Sequence, residues 1–299
     1  MKPSRGLVSD DPSRLGWAAL RLAEKEGRTS FPPHLVHAQD VPSAAMGASL
    51  SKEPLEIGLL FFPGMTQLDV TGPFEVLARL PGARIHLLWK RIEPITSDVG
   101  LTLLPTTTFA DCPKLDVLCV GGGPGQMALM DDLEVLGFVA RAGASARYVT
   151  SVCAGCLILA GAGLLNGYRS ACHWLSRDQL TVFGAIPVEE RIVVDRNRIS
   201  GGGVTAGIDF GFKVAAELCG DEVAKRLQLM LEYDPQPPFD ITERNAPAEM
   251  LADIRTAARP MLEERLRSSQ KAFARLQDGA FPFDQTAPDP ASTDQETVR

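Results

Sequence analysis

Short apolar runs alternate with helical patterns through the middle of the chain. The runs that are typical of buried strands are Ile57–Phe62, Arg84–Trp89, Leu115–Val120, Arg147–Val152 and Arg191–Val194. Apolar residues at helical spacing follow at Gly72–Leu80, Asp131–Ala142, Ala154–Leu165, Leu175–Phe183 and Thr205–Cys219. Strands that alternate with helices in this way predict an α/β fold, a doubly wound and mainly parallel sheet with helices on both faces.

Three segments add detail to this pattern. Ile95–Leu104, with Asp98-Val99-Gly100 near its middle, predicts an extended hairpin inserted on the sheet edge. A helix is predicted over Asp221–Tyr233, ending at the Asp-Pro pair that follows it. Another is predicted over Ala248–Leu276, where Pro260 should bend it because proline lacks the N–H that the helix needs.

The two ends of the chain differ from the middle. Residues 1–53 form a leader with scattered Pro, Ser and Gly that predicts disorder, apart from one short helix with Asp11 as N-cap and Pro12 at its first position. Residues 278–299 are polar and predict a disordered tail. Between them lie a domain over residues 54–240 and a helical extension over residues 241–277.

Composition narrows the class of protein. The 299 residues carry 30 Lys and Arg against 37 Asp and Glu, a net charge of -7, which disfavours a nucleic-acid partner. No window approaches the ~20 continuous apolar residues of a membrane helix, and the first residues lack the apolar run of a secretory signal. The six cysteines are too dispersed for a disulfide scaffold. We therefore expect a cytoplasmic protein with no membrane partner.

Cys153 stands where a predicted strand runs directly into a predicted helix. Ser151 and Gly155 flank it at two positions on either side, which is the spacing of a nucleophile elbow. Such a turn points the side chain out of the carboxyl end of the sheet and near the positive end of the helix, which lowers the pKa of a thiol. Cys153 is therefore a candidate nucleophile. The alternative is a small buried cysteine that ends a core strand.

Cys153 and Cys156 also form a C-x-x-C pair, which permits a redox function. The pair lies in the middle of the chain and encloses Ala154-Gly155, without the proline usual in thioredoxin-like motifs. Zinc is disfavoured because neither a second such pair nor paired histidines complete four ligands. We expect no metal, and we expect Cys156 to fill helix packing.

Two further loops follow predicted strands. The glycine run Gly121–Gly125 offers free backbone N–H groups and predicts an oxyanion hole, since it matches no phosphate-loop pattern. Asp69 precedes a predicted helix and is either its N-cap or a catalytic acid and base; Thr71 could cap equally well. Among the four histidines, only His173 follows the elbow helix closely enough to return toward Cys153.

Together these residues resemble the PfpI/ThiJ superfamily, the class I glutamine amidotransferase-like proteins, and within it most closely the isonitrile hydratases. The resemblance covers roughly residues 55–240. The matching stretches are Phe62–Pro73, Gly121–Gly125, Ser151–Gly155, His173-Trp174, Asp195–Ile199, Gly201–Asp209 and Leu231–Asp240.

The resemblance implies a flavodoxin-like fold, a homodimer and no cofactor. It further implies that Cys153 is the nucleophile and Asp69 the acid and base, in a carbon-oxygen lyase that hydrates a small isonitrile to an N-substituted formamide. Amides of Gly122, Gly123 and Ala154 would stabilise the adduct, with His173 in support. Isonitrile hydratases usually carry Thr directly after the nucleophile and Ser two places further on, where this chain has Ala154 and Cys156.

Two other functions fit the same residues. A stand-alone thiol redox sensor would use Cys153 and Cys156, and a glyoxalase-like protein would hydrate a small dicarbonyl. A transcription regulator is disfavoured because residues 241–299 contain neither a tri-helical DNA-binding unit nor a basic patch. Peptidase and glutaminase activities are disfavoured because Ala154 stands where those branches of the superfamily carry His.

Overall fold

Eleven short strands are present in the part of the chain that the computed structural model describes, residues 54–279, which all lie within the unit Asp40–Arg299. They are β1 (Leu55–Leu60), β2 (Ala83–Trp89), β3 (Ile95–Thr96), β4 (Thr102–Leu103), β5 (Thr107–Thr108), β6 (Val117–Val120), β7 (Tyr148–Val152), β8 (Arg169–Ser170), β9 (Ile186–Pro187), β10 (Ile192–Asp195) and β11 (Arg198–Gly201).

Seven of these strands form one sheet, in the order β10-β11-β7-β6-β1-β2-β5. Every neighbouring pair is parallel except β10 with β11. All four residues of β6 are buried, as expected for a central strand that is covered on both faces. The predicted flavodoxin-like, mainly parallel sheet is confirmed.

Seven α-helices accompany the sheet in the described residues: α1 (Leu68–Leu77), α2 (Gln126–Leu129), α3 (Leu133–Ser145), α4 (Gly155–Gly161), α5 (Ala206–Cys219), α6 (Asp221–Met230) and α7 (Ala248–Gln277). Helix α5 packs on α1 and α6, whereas α4 packs on α2, α3 and α7. No helix within residues 54–279 is long and apolar enough to cross a membrane.

Several predicted helix boundaries and one predicted helix type were wrong. Helix α1 begins at Leu68 instead of Gly72. Helix α4 ends at Gly161 instead of Leu165, because Gly163 has a φ of 81°, in the left-handed region that terminates a helix. The segment Arg177–Phe183 is a 3₁₀-helix instead of an α-helix. Helix α7 continues through Pro260 as one helix, and the bend at this residue stays a prediction.

The sheet edge also differs from the prediction. The hairpin of β3 and β4 forms a separate two-stranded sheet, and the short strand β5 occupies the edge beside β2. Strand β11 was missed. It pairs with β7 and follows β10 through a turn in which Arg196 has a φ of 54°. The predicted leader helix and the polar tail beyond residue 279 lie outside the described residues.

The topology brings three loops to one edge of the sheet. Strands β1, β6 and β7 are parallel neighbours, so the residues that follow their carboxyl ends meet there. Those residues are Phe61–Leu68 after β1, Gly121–Gly125 after β6 and Cys153 after β7. The candidate site is therefore built from the ends of three central strands.

Candidate active site

Cys153 occupies a strained turn between β7 and α4. Its φ is 60°, in the left-handed region that non-glycine residues rarely adopt. Its N–H donates to the carbonyl of Gly201 in the neighbouring strand at 3.1 Å, which holds the turn against the sheet. The side chain is only 6% exposed. The predicted elbow geometry is thus present, with a sulfur that is nearly closed off from bulk water.

The small residues around this turn are required by close backbone approach. A Cβ atom on Gly155 would lie 2.0 Å from the carbonyl oxygen of Val120, and one on Gly122 would lie 2.5 Å from the nitrogen of Ala154. Both distances are shorter than any real contact, so neither position accepts a side chain. The glycine loop after β6 therefore presses its backbone directly against the start of the elbow helix.

Asp69 is fully buried, one residue inside the first turn of α1. Gln67 is the N-cap residue, and no side chain caps the helix, so the N-cap interpretations of Asp69 and Thr71 were both wrong. Oδ2 of Asp69 instead accepts the N–H of Gly122 at 2.8 Å. Oδ1 is buried without an aligned hydrogen-bond partner in the described part of the chain. One carboxyl oxygen is thus anchored to the glycine loop and the other is available.

Burial raises the pKa of Asp69 to about 7, and the charge of Asp98 adds to the rise. The N–H of Gly122 and the thiol of Cys153 oppose it by bonding to the ionised form. The Cys153 thiol and the Asp69 carboxyl therefore affect each other's ionisation, although no aligned hydrogen bond joins them in the described residues. Near neutral pH, Asp69 is poised to give or take a proton beside the sulfur.

Burial also raises the pKa of Cys153 well above the ordinary thiol value. The charges of Asp69 and Cys172 raise it further, while the N–H of Ala154 lowers it by facing the sulfur. The expectation that the helix N-terminus leaves the thiol with a lowered pKa was therefore wrong. A single N–H in a seven-residue helix is outweighed by the desolvation of a nearly enclosed sulfur.

Two more buried thiols lie against the elbow. Cys156 donates to the carbonyl of Cys153 at 3.3 Å, and its thiol also interacts with that of Cys172. All six cysteines of the chain fall within the described residues and all are free thiols. Cys156 packs inside α4, as predicted, with its thiol on the Cys153 carbonyl and against Cys172.

The glycine loop is fixed by the loop that follows β1. The carbonyl of Gly122 accepts the N–H of Thr66 at 2.9 Å, and the N–H of Gly125 donates to the carbonyl of Gly64 at 2.9 Å. Gly123 takes a φ of 123°, and a Cβ there would lie 2.4 Å from the nitrogen of Thr66. Because the amide of Gly122 is engaged with Asp69, the amides of Gly123 and Ala154 are the predicted donors that remain for a bound anion.

The imidazole of His173 bonds to the backbone of its own segment. Its Nδ1 accepts the N–H of Leu175 at 3.3 Å, and no hydrogen bond within residues 54–279 joins it to Asp69 or Cys153. Burial lowers the pKa of His173, and the charge of Arg265 lowers it further, against the opposing charge of Glu243. The imidazole is therefore held neutral at physiological pH, on the side of the site that faces α7.

Sequence reasoning missed Asp98, Cys172 and Arg265. Asp98 comes from the hairpin and binds the hydroxyl of Thr66 at 2.7 Å, next to Asp69. Arg265 is buried on α7, and Cys172 is a buried thiol whose charge acts on Cys153. The only available signal was the position of Arg265 among apolar residues on its helix. The residues that the structure describes contain no cluster of His, Cys, Asp and Glu suited to a metal ion.

Comparison with known proteins shows the family of this sequence. The sequence model of the DJ-1/PfpI family matches residues 56–217, which include the ends of β1, β6 and β7. The chain belongs to the DJ-1/PfpI family. It is 51% identical to an isonitrile hydratase of Pseudomonas putida over 223 residues, which are 74% of this chain and 98% of that protein.

Solved structures agree with this assignment. A ThiJ/PfpI family protein from Pseudomonas syringae is 43% identical, with a TM-score of 0.70 over 82% of this chain and 98% of its own. Drosophila melanogaster DJ-1beta, 22% identical with a TM-score of 0.55 over 61% of this chain and all of its own, shares the fold.

A transcription regulator is also similar in part. The regulator GbdR of Pseudomonas aeruginosa is 26% identical over 194 residues, which are 62% of this chain and 52% of the regulator. The chain therefore spans about half the length of that relative.

The buried carboxyl predicts a pH-dependent stability. A carboxyl whose pKa rises from 3.8 to about 7 on folding binds more protons in the folded state between those values, so stability falls as pH rises through that window. Asp69→Asn removes this titration. The difference in unfolding free energy, variant minus parent, should therefore rise between pH 4 and pH 8. We expect this rise to be about 3–4 kcal/mol at most.

Urea denaturation of both proteins at a series of pH values measures this difference. The exposed carboxylate Asp253 provides the matched control, Asp253→Asn. A difference between Asp69→Asn and the parent that stays constant from pH 4 to pH 8 would contradict the raised pKa of Asp69.

Proposed function

We propose that this protein hydrates an isonitrile, R–N≡C, to an N-substituted formamide, with Cys153 as nucleophile and Asp69 as acid and base. The observation that carries the proposal is the 51% identity to an isonitrile hydratase over nearly the whole of that relative. The buried carboxyl within reach of the elbow thiol supports it, because the reaction needs one nucleophile and one group that moves protons.

The first step forms a covalent adduct. The proton shared between Asp69 and Cys153 resides on the carboxyl while the thiolate adds to the terminal carbon of the isonitrile. Asp69 then protonates that carbon, giving a thioimidate, Cys–S–CH=N–R, and a carboxylate. An Asp69 pKa of about 7 favours both halves of this exchange, since the group is neither a strong acid nor fully protonated near neutral pH.

The second step releases the product. The Asp69 carboxylate takes a proton from water as the oxygen attacks the thioimidate carbon, and passes that proton to the nitrogen. Collapse of the resulting tetrahedral adduct breaks the C–S bond, returns the hydroxyl proton to Asp69 and regenerates the thiolate. Water and isonitrile account for every atom of the formamide, so the reaction requires no cofactor.

The amides around the sulfur have different tasks in this scheme. The N–H of Gly122 orients the Asp69 carboxyl through its 2.8 Å bond. The N–H of Ala154 faces the Cys153 sulfur and stabilises it as an anion, both before attack and as the leaving group. The N–H of Gly123 is the remaining predicted donor to the adduct, and His173 has no hydrogen bond to either member of the pair within residues 54–279.

An assay with cyclohexyl isocyanide tests the function. We expect the purified protein to form N-cyclohexylformamide, and Cys153→Ala to abolish the activity because the covalent adduct cannot form. Asp69→Asn should lower kcat by about 10²-fold or more, the usual contribution of a general acid–base group. Chromatography with mass detection measures the product.

Cys219→Ala is the matched control, since this half-buried thiol lies at the far end of α5. Formation of formamide by Cys153→Ala at the parent's rate would refute the mechanism. Absence of formamide from all variants, parent included, would refute the function.

Ala154 allows a second test of the same chemistry. Thr at this position adds a hydroxyl at the start of α4, beside the sulfur, where it can bond to the attacking water. We expect Ala154→Thr to raise the hydration rate by about tenfold, equal to ~1.4 kcal/mol of transition-state stabilisation. Steady-state kinetics on proteins of matched urea midpoint measure the effect. An unchanged rate would show that the hydroxyl has no part in the reaction here.

We further propose that the protein is a homodimer. Six exposed apolar side chains lie along the chain from the end of α6 to the first half of α7: Leu229, Met230, Phe239, Ile241, Met250 and Ile254. A contiguous exposed apolar patch is typical of a protein–protein interface. Size-exclusion chromatography with light scattering should give twice the mass of the chain. A monomer at micromolar concentration would contradict the proposal. The cytoplasmic location stays a prediction.

A further inference from the structure

One arginine of α7 lies on the buried side of its helix. Arg265 shares a face with Leu262, Ser269, Ala272 and Leu276, at the spacing of successive helical turns. It is only 5% exposed, whereas the other arginines of this helix reach solvent to a greater degree. Arg265 thus points from α7 into the interior. Arginine is almost never fully buried unless it has a partner.

The guanidinium joins three separate segments. Nη1 donates to the hydroxyl of Ser176 at 2.7 Å, and Nε donates to Oε1 of Gln126 at 3.0 Å. Nη2 donates to the carbonyl of Gly123 at 3.4 Å. Arg265 therefore ties α7 to α2, to the segment before the 3₁₀-helix and to the glycine loop that forms one wall of the candidate site.

All three acceptors are neutral. No carboxylate of residues 54–279 forms an ion pair with Arg265, although a buried cation is costly unless it is compensated. The acidic groups whose charge acts on it are the thiols of Cys172, Cys153 and Cys156. A thiolate among these three cysteines is therefore a charge that the guanidinium would stabilise.

The other groups that face Cys153 oppose its ionisation. Asp69 from α1 and Cys172 from the segment after β8 both disfavour a charge on the sulfur, and Cys156 from α4 adds a further thiol to the cluster. His173, beside Arg265, is held neutral, and Glu243 acts on His173 and pairs with Arg177. Arg265 is thus the cation that can offset the negative groups around the sulfur.

We propose that Arg265 is a positioning residue of this site: it holds the Gly123 end of the glycine loop and places a permanent positive charge near the buried thiols, so that the Cys153 thiolate forms more readily than it would beside a neutral side chain. The charge acts on the sulfur, and the hydrogen bond acts on the loop. The proposal rests on Cys153 as the nucleophile of the proposed function, yet the effect of the charge concerns the thiol alone and holds for any substrate.

Alkylation of Cys153 by iodoacetamide from pH 6 to pH 10, followed by mass spectrometry of the peptide that contains it, measures thiolate availability without an isonitrile. We expect Arg265→Gln to raise the midpoint of the pH profile by about one unit and to slow alkylation at pH 7.5 about tenfold. Arg265→Lys retains the charge but not the three-pronged bonding. Its midpoint should stay within about 0.3 unit of the parent, while formamide production falls about tenfold because the loop is held less well.

Arg275→Gln is the matched control on the same helix. Arg275 binds the carbonyl of Met130 at 3.0 Å and pairs with Asp131, so its loss should weaken the attachment of α7 without moving the midpoint of Cys153. If Arg275→Gln moves the midpoint as far as Arg265→Gln does, the effect is purely structural and the proposal is overturned.

Two outcomes decide the remaining cases. An unchanged midpoint in a folded Arg265→Gln variant, checked by circular dichroism and the urea midpoint, would overturn the proposal. If that variant does not fold, Arg265→Lys decides: a midpoint within about 0.3 unit of the parent supports the role of the charge, and a larger upward shift overturns it. Failure to hydrate isonitriles would remove the proposed function but would leave the alkylation result to stand by itself.

Discussion

The candidate site depends on one turn of backbone that could not exist without the sheet around it. Cys153 at a φ of 60° carries a strain of about 1–3 kcal/mol, which persists only when the surrounding structure fixes it. The bond from its N–H to Gly201 in β11 and the contact of Gly155 on the carbonyl of Val120 in β6 provide that support from both sides. The sulfur is therefore held by the two strands that flank β7, and its position is as rigid as the sheet itself.

Burial dominates the electrostatics of this rigid site. It is the largest cause of the raised pKa of both Asp69 and Cys153, ahead of the hydrogen bonds that oppose it. Two acids enclosed together cannot both ionise readily, so the pair holds one mobile proton near neutral pH. A site of this kind suits an uncharged electrophile, which enters without its own desolvation cost and needs both a nucleophile and a proton at one carbon.

The elements that complete the site are distant in sequence from the elbow. The hairpin of β3 and β4 contacts the loop after β1 through Asp98, and α7 contributes Arg265 to the opposite wall. Helix α7 of the helical extension therefore contributes a side chain to the wall of the candidate site. In the described residues, the same guanidinium links α7 to the loop that anchors Asp69, so the C-terminal helix and the Asp69 carboxyl are both bonded to the glycine loop.

The sequence by itself determined the alternation of strands and helices, the elbow at Cys153 and the three loops that meet beside it. These follow from local causes: apolar periodicity, the small residues that a tight turn requires, and the rule that parallel strands end at one edge. The sequence did not determine the short edge strands or the end of α4. A two-residue strand forms only where an adjacent strand pairs with it, and the turn at Gly163 depends on the elements that pack around it.

Only the tertiary structure decided the chemistry of the side chains. Asp69 is an anchored carboxyl instead of a helix cap because Gly122, 53 residues away, supplies its hydrogen bond. The direction of the Cys153 pKa follows from how completely the fold removes water from the sulfur, which no neighbouring residue in the sequence reveals. Arg265 enters the site from 112 residues away, and desolvation and charge act through space, not along the chain.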